Sequence, residues 1–247
     1  MTTRTRNSLW VGIVIIVHGG LILACNSNIP RQQSVPQKNQ LSVETTQIVE
    51  LVKTFAEDQG PLGQEALRKL EGYPQPELLG VLRNLDRSLP AADKLHPQTA
   101  FLLCWLNQDY EINVKTIEAA LSKSSPYQGF YADDAETLLS RLIQRGKKDL
   151  LKPLIQSASW ADGALSEALG VTFSKELQQD PEQFLNQLSA SPVNTREKVY
   201  ALIKSSHSLS EADLKKLRTS LSSVPTTSSV HQIAKELLEH FDEKLRQ

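Results

Sequence analysis

Glu236, His240 and Glu243 stand at i, i+4 and i+7, and His231 precedes Glu236 by a little over one helical turn. On a helix this spacing puts two carboxylates and an imidazole on one face, which is a metal-ligand layout. It is also the layout of a solvated stripe beside the apolar positions Ile233, Ala234, Leu237, Leu238 and Phe241, and the stripe is the simpler reading. No metal is therefore expected. The adjacent carboxylates Asp133 and Asp134 have the composition of an acid/base pair. They open a run with apolar residues at helical spacing, however, and carboxylates at a helix start cap free N–H groups and face the positive end of the dipole. Cys104 lies in Phe101-Leu102-Leu103-Cys104-Trp105-Leu106, an apolar setting that raises a thiol's pKa and suits a small buried hydrophobe better than a nucleophile. His96 and His207 fall at expected helix ends, an ordinary place for a donor or cationic side chain. Beyond residue 25 there is no His-Glu-x-x-His, Gly-x-Ser-x-Gly, Cys-x-x-Cys or glycine-rich phosphate loop. No catalytic residue and no cofactor is assigned.

The best sequence candidate for a contact surface is the segment Ser125-Pro126-Tyr127-Gln128-Gly129-Phe130-Tyr131. Tyr127, Phe130 and Tyr131 form a possible partner-binding loop if the rings face solvent, since aromatic residues on loops suit recognition. The other reading folds the same rings back over neighbouring helices. Trp160, expected near a helix start, carries the same two readings.

The elements that would position these residues are helices throughout. Ile48, Leu51, Val52 and Phe55 fall at i, i+3, i+4 and i+7, and Gly60-Pro61 stops the run. Short segments follow around Leu67 and Leu70, and from Pro76 to Leu89. A helix expected from Pro97 to Asn107 is apolar almost all round between Ala100 and Leu106, as befits the most central element. Asn113 is the expected cap of the next helix. The stripe Ala135, Leu138, Leu139, Leu142 and Ile143 precedes a partner helix from Asp149, bent near its start by Pro153. Leu165, Leu169, Phe173 and Leu177 define another helix, with a break expected at Gly170. Asp180-Pro181-Glu182-Gln183, Asn194-Thr195-Arg196-Glu197 and Ser210-Glu211-Ala212-Asp213 read as N-terminal capping segments. A last helix runs from Val230 to Leu245. The expected fold is all-α, about a dozen short antiparallel helices over residues 43–247. Helix pairs begin every 30–37 residues or so, within the range of helical repeats. The architecture resembles a HEAT-like or tetratricopeptide-like α-solenoid, with an irregular helical array as the alternative; no repeated signature is present.

The first 25 residues carry a different signal. Arg4 and Arg6 precede the apolar run Leu9 to Val17, and Leu21-Ile22-Leu23-Ala24-Cys25 ends it, the layout of an export signal. Leu9 to Ala24 is 16 residues, short of the roughly 20 a membrane span needs. The Ile22-Leu23-Ala24-Cys25 end resembles a bacterial lipoprotein signal, the lipobox. That resemblance implies a signal peptide over residues 1–24, cleavage between Ala24 and Cys25, and a lipid (palmitate among its acyl chains) on Cys25. An uncleaved anchor and an ordinary signal peptide are the alternatives. Asn26, rather than Asp, after the cysteine implies the outer membrane of a two-membrane bacterium, on its periplasmic side. Two or more acyl chains, at about 0.8 kcal/mol per buried methylene, suffice for stable attachment. Residues 25–42, with Pro30 and Pro36 and no period, read as the lipidated cysteine and a flexible linker.

Removing residues 1–24 leaves 25 basic and 28 acidic side chains, a net charge of −3. This gives no electrostatic reason to expect nucleic acid as a partner. The expected function is a lipid-anchored cell-envelope protein: a helical protein-interaction scaffold or accessory factor whose partners are the membrane, through its lipid, and other envelope proteins. The alternative is an envelope hydrolase acting on cell-wall glycan. Mass spectrometry of the mature N-terminus should find an acylated Cys25; an unmodified thiol there would contradict the lipobox reading.

Overall fold

The computed structural model describes residues 43–58, 60–206 and 210–244, with side chains to residue 241. The expected signal peptide and linker, with Ala24 and Cys25, as well as His207, Leu209 and the Glu243 side chain, lie outside the described residues. The described residues form twelve α-helices and one 3-10 turn with no strand among them, so the fold is all-α. None of these helices is long and apolar enough to cross a membrane.

Helix α1 (Val43–Glu57) buries Ile48, Val52 and Phe55, and α2 (Pro61–Glu71) packs back on it. Proline at the first position of α2 is tolerated because that position's N–H would have no partner in the helix. Helix α3 (Gln75–Ser88) leads to α4 (Leu95–Trp105), in which every residue from Pro97 to Cys104 is buried. A helix buried all round must be central, and α4 touches α1, α3, α5 and α6. Phe101 stacks on Phe55 with ring centroids 5.4 Å apart and lies 5.3 Å from Trp105.

Beyond α4 come α5 (Tyr110–Leu121), α6 (Ala132–Gln144), a 3-10 turn (Lys148–Leu150), α7 (Leu151–Ser157) and α8 (Gly163–Gln179). The last four are α9 (Pro181–Ser189), α10 (Val193–Ser205), α11 (Glu211–Ser222) and α12 (His231–Lys244). Four successive contacts, α4 on α6, α6 on α8, α8 on α10 and α10 on α12, join the even-numbered helices from α4 onward into one row, while α2 packs on α1. Both α6 and α8 bury apolar stripes in the core, Leu138, Leu139 and Leu142 on α6 and Leu169, Phe173 and Leu177 on α8. The odd-numbered helices make no matching second row. Helices α1 and α3 pack together, as do α7 and α9, whereas α5 rests on α4 and α6 without packing closely on α3 or α7.

Three local expectations are corrected. Asn113 is not the cap of α5: the helix begins at Tyr110 behind Asp109, whose φ of 46° is left-handed. Asn113 is buried in the first turn, where its amide donates to the carbonyls of Gln108 and Asp109 at 3.1 Å each. Asn194 likewise lies inside α10 rather than capping it; its Oδ1 accepts the Thr195 N–H at 2.9 Å, a donor shared with the Pro192 carbonyl at 3.0 Å. Gly170 does not break α8. A Cβ there would lie 2.7 Å from the Leu202 carbonyl oxygen and 3.1 Å from the Ser206 Cβ, so the glycine exists to let α8 and α10 approach closely. Other caps appear as read: Asp180 Oδ1 accepts the Gln183 N–H at 3.1 Å, and Ser210 and Asp213 exchange both bonds of a capping box.

The two interior glycines of α8 and α3 should therefore respond oppositely to alanine. Gly170→Ala should lower stability by about 1–3 kcal/mol through overpacking. Gly80→Ala, on an exposed position with nothing within 4 Å of the new methyl group, should raise it by about 0.5–1 kcal/mol. Urea denaturation of the two variants measures both; equal shifts would contradict the close approach.

Candidate binding cleft

Because α5 and α7 both lean on the even-numbered row without closing on each other, a cleft of about 490 Å³ opens between them. Glu118 comes from α5 and Ser122 directly follows it; Lys152, Gln156 and the following Trp160 come from α7 and the turn after it. Lys152, Gln156 and Trp160 are spaced four residues apart, so they form a row along one wall. Lys152 and Gln156 are exposed, and Glu118 and Trp160 are half-buried. Burial pushes the Glu118 carboxyl above its ordinary range, helped by the nearby negative charges of Asp149 and Glu111 and opposed by Lys115. Volume and lining fall within the range of small-molecule sites, about 300–1,000 Å³ with a few placed polar groups. Similarly open clefts lie beside α11 (about 600 Å³ against α8) and where α1, α2 and α3 meet (about 410 Å³).

The residues singled out by sequence are dispersed. Phe130 is buried in the core, Tyr127 is half-buried with its ring 6.2 Å from His96, and Tyr131 stands out at 70% exposure. The loop is tied down by a 2.9 Å bond from the Gln128 N–H to the Ala92 carbonyl, which turns Phe130 inward and leaves Tyr131 as its exposed ring. Asp134 accepts the Tyr131 N–H at 3.0 Å, so that carboxylate does cap α6. Cys104 is buried, its thiol pushed up to about 12 by burial and its Sγ 3.9 Å from the Tyr110 carbonyl. His96 Nδ1 lies 3.0 Å from an Asp86 carboxylate oxygen. On α12, His240 packs 5.3 Å from the Tyr200 ring, Glu236 accepts from Gln232 at 3.4 Å, and His231 Nδ1 lies 3.3 Å from the Val224 carbonyl. No three described His, Cys, Asp or Glu side chains are grouped to hold a metal ion. Trp160 follows α7 rather than opening a helix.

Sequence reading missed Glu118, whose setting depends on a neighbour 30 or more residues away, and a polar line buried at the α6–α8 seam. There the Thr172 hydroxyl donates to Glu136 Oε1 at 2.6 Å and lies 2.7 Å from Ser140 Oγ. One turn along α8, the buried Glu176 pairs with Lys148. The available signal was the i, i+4 spacing of Glu136 with Ser140 and of Thr172 with Glu176, on the flanks of the two apolar stripes.

Burial is the main cause that pushes the Glu136 carboxyl above its ordinary range, with Thr172 and Ser140 opposing. The fold thus favours the protonated acid. Below the ordinary carboxyl range the acid is neutral in both states and costs nothing; as pH rises through that range towards the folded value, the native state binds more protons and stability falls. Glu136→Gln should therefore gain melting temperature relative to the parent at pH 7 and lose that advantage near pH 4. An advantage that did not change with pH would contradict the assignment. No family model, curated protein or solved structure matches this chain.

Proposed function

We propose that this protein is a lipid-anchored envelope scaffold, held to the membrane through Cys25 and offering the seams of a helical array to partner proteins. The observation that supports this most is the row formed by α4, α6, α8, α10 and α12, a continuous spine flanked by open clefts, one of them where α5 and α7 stand apart. Shallow recesses spread along a surface suit extended partners better than a single small substrate. Tyr131, at 70% exposure and one end of α6, adds an aromatic anchor of the kind that dominates binding energy. Tethering confines such a module to a thin layer and raises its effective concentration for partners in the same envelope.

A second reading, a hydrolase of cell-wall glycan, draws on Glu118, a half-buried carboxyl with a raised pKa in a cleft. Glycoside hydrolysis ordinarily uses two carboxyl groups flanking the bond. Glu118 is the one carboxylic acid among the described residues lining that cleft, which favours binding over cleavage.

Co-purification from envelopes, run in parallel with the intact chain and Cys25→Ser, tests the scaffold. Specific protein partners should accompany the parent and be lost, or fall several-fold, with the variant. The same partners at the same yield with both chains would contradict membrane-tethered scaffolding, as would none with either.

A further inference from the structure

Four polar side chains line the α5–α7 cleft without a hydrogen-bond partner among the described residues: the Glu118 carboxyl, the Lys152 ammonium, the Gln156 amide and the Trp160 indole N–H. Other charged and indole groups of the α2–α4–α6 face and the α6–α8 seam are occupied. Arg145 and the Trp105 indole both bond Glu71, at 2.9 and 2.7 Å, and Lys148 pairs with Glu176. The α5–α7 cleft gathers unengaged donors and acceptors around an aromatic face.

The chemistry of these groups narrows the ligand. One acid and one base make the lining charge-balanced, so a polyanion would be opposed by Glu118 and a polycation by Lys152. A wholly apolar ligand would strip water from four polar groups and return no hydrogen bonds. Between them the side chains offer both roles: carboxyl oxygens accept, the ammonium and indole donate, and the amide does each. Trp160 adds a flat, half-buried ring whose electron-rich face favours the slightly positive C–H groups of a partner. A neutral ring with an apolar C–H face and hydroxyls round its edge answers all of these demands.

We infer that the α5–α7 cleft is a non-catalytic saccharide-binding site, in which Trp160 stacks on a pyranose ring while Glu118, Lys152 and Gln156 bond its hydroxyls. The inference rests on the cleft and not on the scaffold reading, so saccharide binding and partner co-purification succeed or fail separately.

Isothermal titration calorimetry of the full chain in detergent, with the hexasaccharides of N-acetylglucosamine, glucose in β-1,4 linkage and glucose in α-1,4 linkage, provides the test. At least one should bind with a Kd of about a millimolar or tighter, and Trp160→Ala should weaken it about tenfold. Trp160 touches the core, so the exposed pair Lys152→Ala/Gln156→Ala, which leaves the core intact, is the second variant and should lose a comparable factor. Tyr131→Ala, outside the cleft, should bind as the parent does. Absence of heat with all three sugars at about ten times that concentration would overturn the inference. So would binding that a correctly folded Trp160→Ala and the double variant both retain, or a lysine-rich peptide binding where no sugar does.

Discussion

The interaction on which the structure depends is the burial of apolar stripes along the row α4, α6, α8, α10 and α12, with α8 at its middle. Leu138, Leu139 and Leu142 of α6 and Leu169, Phe173 and Leu177 of α8 are essentially inaccessible to water. At roughly 1.5–3 kcal/mol per fully buried side chain, such seams are the main favourable term available to a protein of short helices. The α6–α8 seam carries Glu136, Thr172 and Ser140, and Glu176 with Lys148. Buried polar groups of this kind are weak evidence of net stability, but misregister between α6 and α8 would leave them unsatisfied, so they set which residues face each other. At the next seam Gly170 sets how close α8 and α10 come.

A continuous row on one side frees the other. Helix α5 rests on α4 and α6 while α7 packs on α9 and α10, so α5 and α7 stand apart and leave a cleft with polar walls. Surface ties reinforce individual helices instead. Arg145 lies 3.5 Å from the Trp105 ring centroid and bonds both the Trp105 carbonyl and Glu71, joining α2, α4 and the end of α6. Such half-exposed cation–aromatic contacts contribute about 0.5–1 kcal/mol each, enough to orient a helix but not to hold the fold.

The helices themselves were plain in the sequence, since period-3.6 apolar stripes and proline or glycine stops report burial on one face. The all-round apolar run at Ala100 to Leu106 announced the central position of α4 for the same reason. What escaped was information held in tertiary approach. Gly170 reads as a breaker along the chain but is a spacer between two helices. Asn113 and Asn194 look like caps by type, yet the backbone turns four and two residues earlier, through the left-handed Asp109 and through Pro192. Phe130 and Tyr131 are neighbours with the same composition signal and opposite fates, because the bond to Ala92 fixes which ring turns inward. Glu118 carried no motif at all: its setting is made by α7, and no local pattern encodes that.

Hydrogen exchange followed by mass spectrometry tests the spine most directly. Amides of Leu95–Trp105, Ala132–Gln144 and Gly163–Gln179 should be the slowest to exchange and should do so together, while α2 and α11, at the edges of the row, exchange earlier. Protection spread evenly over all helices, or strongest in α2 or α11, would contradict a fold built on the even-numbered row.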